Sequence, residues 1–364
     1  MYRTLLLLLA ALPLLTWGQE ESPDDLLNQL DAPTAQPVRA TFNSSRLINL
    51  QTNETAGRNV LEFNIVHRFG SVNSGGTDLW GLDNSSDIRI GFDYGITDRL
   101  MVGIGRSKQN ERIDGLVKYR LLQQMDGKGM PLSVTLYANA AYDPAANLRT
   151  TVGDQTFDLY PNQSARLSYL TQLILTRKFH PRVSVALLPT YFHRNFVGTY
   201  ADDYYIEQPT GGTAGRVVVA ENNQFALGFG ARYRVSRTLT LTGDYLLPFN
   251  HFANSQLPFG SPGSPQAAPY YYHPVGLGVE LEVGGHVFQI NASNSEALLV
   301  NNLLERSPTS FDAGGWRLGF CIVRVFTPGK RIVKAGRADE AARQPEPPAK
   351  PEGPRLGRRP RRAE

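Results

Sequence analysis

Cysteine is almost absent from this 364-residue chain: the single Cys321 excludes an intrachain disulfide framework and any cysteine-rich metal site. Methionine (4) and tryptophan (3) are also scarce. Beyond the N-terminus no apolar run approaches the ~20 residues that a membrane-spanning helix needs, which argues against a helical membrane protein. Mean hydropathy is negative. A β-barrel stays open, because strands with one oily and one polar face average to modest hydropathy. A surplus of one charge over the body is missing too. Residues 327–364 hold eleven Lys/Arg against five Asp/Glu, a net +6, so the rest of the chain carries −2 of the +4 total. The basic character belongs to the tail.

What is present is glycine (34), tyrosine (16) and phenylalanine (17), set in a repeating pattern. Residues 1–18 read as a secretory signal peptide: Arg3, an apolar stretch from Leu5 to Leu15, then Thr16-Trp17-Gly18. Residues 19–59 read as a periplasmic N-terminal segment. Its SPDDLLNQL stretch (22–30) suits a short helix capped by Ser22, with Asp24 and Asp25 near its positive end, and 31–59 form a polar, extended lead-in. From residue 60 the period becomes two. VLEFNIVHR sets Leu61, Phe63 and Ile65 against Glu62, Asn64 and Arg68, and DIRIGFDY sets Ile88, Ile90, Phe92 and Tyr94 against Asp87, Arg89, Gly91 and Asp93. RLMVGIG continues the alternation, as do 113–123, 131–142, 164–178, 182–195, 223–235, 238–248, 274–283, 286–294 and 315–326, giving twelve strands. Tight turns such as Gly95-Ile96-Thr97-Asp98, Phe179-His180-Pro181, Ser236-Arg237 and Gly284-Gly285 alternate with mostly long, Gly-, Asn- and Tyr-rich joins. Short turns on one side and long loops on the other are the habit of outer-membrane barrels, whereas a soluble sandwich has no reason to segregate them. The predicted fold is all-β: a single antiparallel up-and-down transmembrane β-barrel of about 12 strands over 60–326, followed by a disordered basic, Pro-rich tail over 327–364.

Rows such as Val183, Val185 and Leu187, or Trp316, Leu318, Phe320 and Ile322, supply the lipid face, and Tyr94, Tyr119, Tyr142, Tyr191, Tyr233 and Tyr245 stand near strand ends where an aromatic girdle belongs. The opposite face offers the lumen-lining candidates Glu62, Arg68, Arg89, Asp93, Lys118, Arg120, Arg232, Arg234, Asp244, Glu280, Glu282 and Arg317, interleaved with Gly91, Gly103, Gly228, Gly230, Gly276, Gly278 and Gly319. Two readings stand: a water-filled pore with charged walls, or a salt-bridged, plugged interior. Nearly balanced signs argue against a strong single-sign filter, and twelve strands make a narrow barrel.

Several stretches go beyond generic strands. RATFNSSRLINL, FNIVHRFGSVNSG, LWGLDNSSDIRIGFDYGITDRLMVGIGRS, VGLGVELEVGGHVFQINASNS and RLGFCIVRVF resemble an uncharacterised, domain-of-unknown-function family of Gram-negative outer-membrane β-barrel proteins over roughly residues 39–327. The resemblance implies a barrel in the bacterial outer membrane and brings no activity and no site. The loops 196–222 and 249–273 and the tail look peculiar to this chain.

No catalytic residue, cofactor or metal is assigned. Of the six histidines, His67, His193 and His286 fall on the outward phase, His180 lies in a turn, and His251 and His273 flank a long loop. No Ser/His/Asp spacing stands out, and only Asp202, Asp203 and His251 could converge for an outer-membrane hydrolase, a remote alternative. The leading expectation is a narrow passive channel or transport-related protein for small polar solutes. The alternative is a non-conducting structural or envelope-interaction barrel. Expected partners are outer-membrane lipid, the barrel-assembly machinery, small polar solutes and, through the tail, an anionic envelope component; nucleic acid is not among them.

Overall fold

The computed structural model describes residues 36–327 apart from 39, 128, 145–148, 153–154, 159, 161, 198–203, 208–215, 220, 250–271, 284–285 and 312–313. The signal-peptide stretch, the 22–30 helix, Asp202, Asp203, His251 and the tail from 328 onward lie outside the described residues.

Among the described residues sixteen strands follow one another. Twelve close into a barrel: β1 (Leu61–Ser71), β2 (Ser85–Gly95), β3 (Leu100–Ser107), β4 (Ile113–Leu122), β5 (Ser133–Tyr142), β8 (Leu167–His180), β9 (Val183–Arg194), β12 (Asn223–Arg234), β13 (Leu239–Pro248), β14 (Val275–Val283), β15 (His286–Ser293) and β16 (Arg317–Phe326). Each pairs antiparallel with its neighbour, and β1 pairs with β16 to complete the ring. Two small hairpins, β6 (Arg149–Val152) with β7 (Gln155–Asp158) and β10 (Tyr204–Glu207) with β11 (Arg216–Val219), sit in the long joins. The predicted twelve-stranded meander is therefore the observed one, with strand ends within three residues of expectation. Phe179 and His180 extend β8, so the turn that follows is tighter than the sequence suggested.

Pleating puts alternate residues on opposite faces. On β2, Ile90, Phe92 and Tyr94 are exposed while Asp87, Arg89 and Asp93 are buried. Ile104, Val117, Leu136, Val185, Phe229, Leu277 and Ile290 extend the same outward apolar surface. A water-soluble protein would not leave such a band uncovered, but hydrocarbon accepts it, and a closed ring leaves no unpaired strand edge.

The interior departs from the expected uniformly polar face. One arc is polar, with Arg68, Asp87, Arg89, Asp93, Asp114, Lys118, Glu280, Gln289 and Asn291 all buried. The facing arc is apolar: Leu170 and Ile174 of β8, Leu188 and Phe192 of β9, and Leu246 of β13 are buried in a continuous cluster. Two non-strand segments supply its partners. Phe42, Leu47 and Leu50 come from the stretch preceding β1, and Val300, Leu303 and Leu304 from the short helix α1 (Val300–Glu305). Burying side chains of this size is worth about 1.5–3 kcal/mol each. Residues 31–59 are thus not an external lead-in over their described length. From about residue 40 they run inside the barrel, because an apolar arc of wall requires a dry partner.

Candidate functional site: the filled lumen

The chain enters at the short-turn end. Val38 N donates to Gln124 O at 2.8 Å and Asp126 N to Gln36 O at 2.8 Å, so the β4–β5 turn holds the start of the segment like an added strand. Residues 45–52 then fold back on themselves, with Leu47 N donating to Leu50 O at 2.8 Å and Thr52 N to Ser45 O at 3.0 Å. The tip of this hairpin points at β13. Asp244 Oδ2 accepts from the backbone N–H groups of Ile48 (3.1 Å), Asn49 (2.6 Å) and Leu50 (3.0 Å), and its Oδ1 accepts from Asn49 Nδ2 at 2.9 Å. Arg68 Nη2 donates to Asn49 Oδ1 at 3.2 Å. One carboxylate thereby satisfies three buried amides that no secondary structure serves.

The rest of the segment is held by wall charges in the same manner. Lys118 Nζ donates to Ser45 O (2.7 Å) and Glu54 O (3.2 Å), and Arg120 Nη2 donates to Thr55 Oγ1 at 3.0 Å. Glu54 Oε1 turns back to accept from Thr41 N and Phe42 N. Asn43 Nδ2 reaches Thr240 Oγ1 and Glu280 Oε2, both at 3.0 Å, and Arg232 Nη1 donates to Asn43 Oδ1 at 2.8 Å. Two glycines of β12 make room for the apolar side. A Cβ on Gly230 would stand 2.5 Å from Leu47 Cδ1, and one on Gly228 would stand 2.8 Å from Leu50 Cδ1.

At the long-loop end, the join between β15 and β16 folds inward. Leu298 N donates to Asp87 Oδ2 at 3.0 Å, Asn301 Nδ2 to Ser168 Oγ at 3.1 Å, and Arg112 pairs with Glu305 at 2.6 Å while also donating to Asn302 Oδ1. Arg317 pairs with Glu296 at 2.6 Å. The two internal segments meet where Arg46 Nη2 donates to Leu298 O at 3.1 Å.

Of the predicted lumen-lining residues, Arg68, Arg89, Asp93, Lys118, Arg232, Asp244, Glu280 and Arg317 are buried on the inward face. Glu62, Arg120 and Arg234 are half-buried, and Glu282 is exposed near the short-turn rim. Arg89 belongs to the wall itself: its Nε and Nη2 hold Asp114 bidentately at 3.0 and 2.7 Å. Replacing Asp114 with alanine strands a buried guanidinium and is expected to cost about 3–5 kcal/mol, read as a lowered denaturant midpoint of the refolded barrel. Sequence reading set Asp87 on the polar face of β2 without counting it among the lumen-lining candidates, and it missed Asn43, Arg46, Asn49 and Glu54, together with Arg112, Asp114, Asn302 and Glu305. A signal existed in FNSSRLINL, whose Phe, Leu and Ile set among Asn, Ser and Arg exceed what a solvated linker needs. Among the described residues no group of three or more His, Cys, Asp or Glu is disposed to hold a metal.

Comparison with known proteins gives a family and distant structures. No curated protein matches this chain. Among solved structures, outer membrane protein Omp33 of Acinetobacter baumannii is 10% identical with a TM-score of 0.33, covering 73% of this chain and 97% of its own. Salmonella typhi OmpF, in complex with daunomycin, is 10% identical with a TM-score of 0.31, covering 73% and 96%. A loop-deletion mutant of OmpT, an outer membrane protein of Vibrio cholerae, is 12% identical with a TM-score of 0.30, covering 73% and 75%. Residues 42–326 match the family described as "Membrane bound beta barrel domain (DUF5777)", a span that takes in the luminal segment as well as all twelve barrel strands. The chain therefore belongs to this family of membrane-bound β-barrels, whose function is unknown.

Proposed function

We propose that the protein is a bacterial outer-membrane barrel of the channel or transport-related class, serving small polar solutes and closed at rest by its own N-terminal segment. One observation carries this reading: the wall charges Asp244, Lys118 and Arg120 are spent on the backbone of a non-strand segment and not on one another. Withdrawal of residues 36–57 would hand those charges to water and remove the Arg46 contact on the β15–β16 join, the second filling, which must also shift for a hydrated path beside β1–β4 and β13–β14 to open. The reading contains no catalytic step.

A second reading, a non-conducting structural or envelope-interaction barrel, is favoured by the apolar cluster joining Phe42, Leu47 and Leu50 to β8, β9 and β13. Planar-bilayer recording separates the two. The full chain is expected to show no unitary steps at low voltage, and a refolded variant lacking residues 36–57 is expected to show them. A folded deletion variant that stays silent ends the channel reading and leaves the structural one.

A further inference from the structure

We infer that the outer wall holds one anionic membrane lipid at the long-loop end, with an acyl chain in a hollow on β2, β3 and β4 and its headgroup phosphate between Arg106 and Lys108.

Ile90, Phe92, Ile104 and Ile113 line a hollow of about 630 Å³ on the lipid side of the wall, together with Arg106 and Lys108. Pleating gives this one hollow two kinds of lining. Ile104, Arg106 and Lys108 stand two apart along the chain, and all three are exposed on the outward face. Arg106 lies across from Ile90 and Ile113, at the end of β3 that leads into the long-loop rim. Phe92 and Ile104, themselves cross-strand partners, sit one step nearer the middle of the membrane. Gly115, opposite Ile104 on β4, keeps the wall low there, since nothing lies within 4 Å of where its Cβ would stand. Apolar walls with cations at one end match a lipid, whose chain and phosphate enter at successive depths.

Both cations have donors to spare. Arg106 meets Glu111 only at 3.7 Å, with each side chain more than half exposed, which makes a weak pair. Lys108 Nζ spends one hydrogen on Ser85 O at 2.8 Å and keeps two. Among the described residues no acidic side chain lines the hollow. Asp87 and Asp114, on the same strands, are buried on the inward face, where Asp87 accepts from Leu298 N and Asp114 is held by Arg89. A purely apolar occupant, such as the strands of a second copy, would leave both cations unmatched. A second hollow on the outer wall, beside Ala231 and Gly243, has the single cation Arg177, which lies 4.9 Å from the centre of the Phe179 ring. The lipid site goes beyond the proposed function and does not depend on whether the lumen conducts.

The test is native mass spectrometry of the full refolded chain in detergent, offered equimolar dimyristoylphosphatidylglycerol and dimyristoylphosphatidylcholine. The two share their chains and differ in net charge. One phosphatidylglycerol is expected to stay bound at collision energies that strip phosphatidylcholine. Arg106→Gln combined with Lys108→Gln is expected to weaken phosphatidylglycerol binding about tenfold and to leave phosphatidylcholine unchanged. Ile104→Trp, which fills the hollow and keeps both charges, is expected to weaken it as well. Arg177→Gln is expected to change nothing. All four positions are exposed on the outer wall, and heat-modifiable migration checks that each variant is folded. Equal retention of the two lipids, an unchanged affinity in the Gln variant or in Ile104→Trp, or an equal loss in Arg177→Gln overturns the proposal.

Discussion

In a variant with Asp244 replaced by alanine, the amides of Ile48, Asn49 and Leu50 are expected to exchange with solvent about a hundredfold faster or more, equivalent to about 2.7 kcal/mol of lost protection. The reasoning is an inventory of hydrogen bonds. Three backbone N–H groups and one side-chain amide converge on this carboxylate inside the barrel. Each donor left buried without an acceptor costs about 1–3 kcal/mol. Three such costs exceed what Arg68 and Ser293 return through Asn49, so the hairpin tip undocks before it stays buried and unsatisfied. The strand ladder of β12, β13 and β14 does not depend on the carboxylate. Heat-modifiable migration of the refolded barrel should therefore persist, and hydrogen exchange read by mass spectrometry should localise the change to 45–52. Unchanged exchange in a folded Asp244→Ala barrel would remove the carboxylate from its assigned anchoring role.

The second large effect comes from bulk where glycine now stands. Gly230→Leu, alone or with Gly228→Leu, is expected to expel residues 47–50 from the lumen while the wall stays closed. Neither glycine has a positive φ, so β12 gains a residue better suited to a strand and loses no special backbone freedom. The obstruction lies in what the added atoms meet: Leu47 Cδ1 at 2.5 Å from the new Cβ at 230, and Leu50 Cδ1 at 2.8 Å from that at 228. An alanine meets the flexible ends of Leu47 and Leu50 most closely and, at 3.3 and 3.1 Å, the Cβ atoms of Ala186 and Leu188 on β9, and overpacking of that size costs about 1–3 kcal/mol. Leucine cannot be absorbed so cheaply. A cysteine placed at Ile48 should be protected from a water-soluble maleimide in the parent and labelled in the Gly230→Leu barrel. Continued protection would mean that the wall distorts in preference to the segment leaving.

The wall was legible in the sequence because a strand writes its two faces as alternate letters. DIRIGFDY assigns Ile90 and Phe92 to one side and Arg89 and Asp93 to the other without further information, and the burial pattern of β2 repeats that assignment residue by residue. The interior was less legible for two physical reasons. On β8 and β9 both phases are largely apolar, as in TQLILT and VALLPTYF, so alternation identified the strands but did not say that Ile174 and Phe192 face inward to meet protein. Residues 40–57 have no period at all, since they are held by side chains reaching from six or more strands and not by their own ladder. Their fixed position follows from Asp244, Lys118 and Glu280, residues 60 to 240 places away. Wall charges such as Asp244, Lys118 and Glu280 were found but not their partners in the filling, because period and spacing report direction and carry no record of contact across a lumen. The six residues of α1 were hidden in the same way, inside a join that read as an ordinary long loop.

The two fillings have a shared address in the topology. One leads into β1 and the other, after residues 306–316, into β16, and these are the strands that meet to close the circle. Arg46 and Leu298 join the fillings to each other across the interior. Zipping the final seam and stuffing the cylinder are consequently expected to be coupled in assembly. A ring sealed first would have to thread both segments through an opening no wider than twelve strands allow, whereas a sheet still open along the β1–β16 edge can roll up around them.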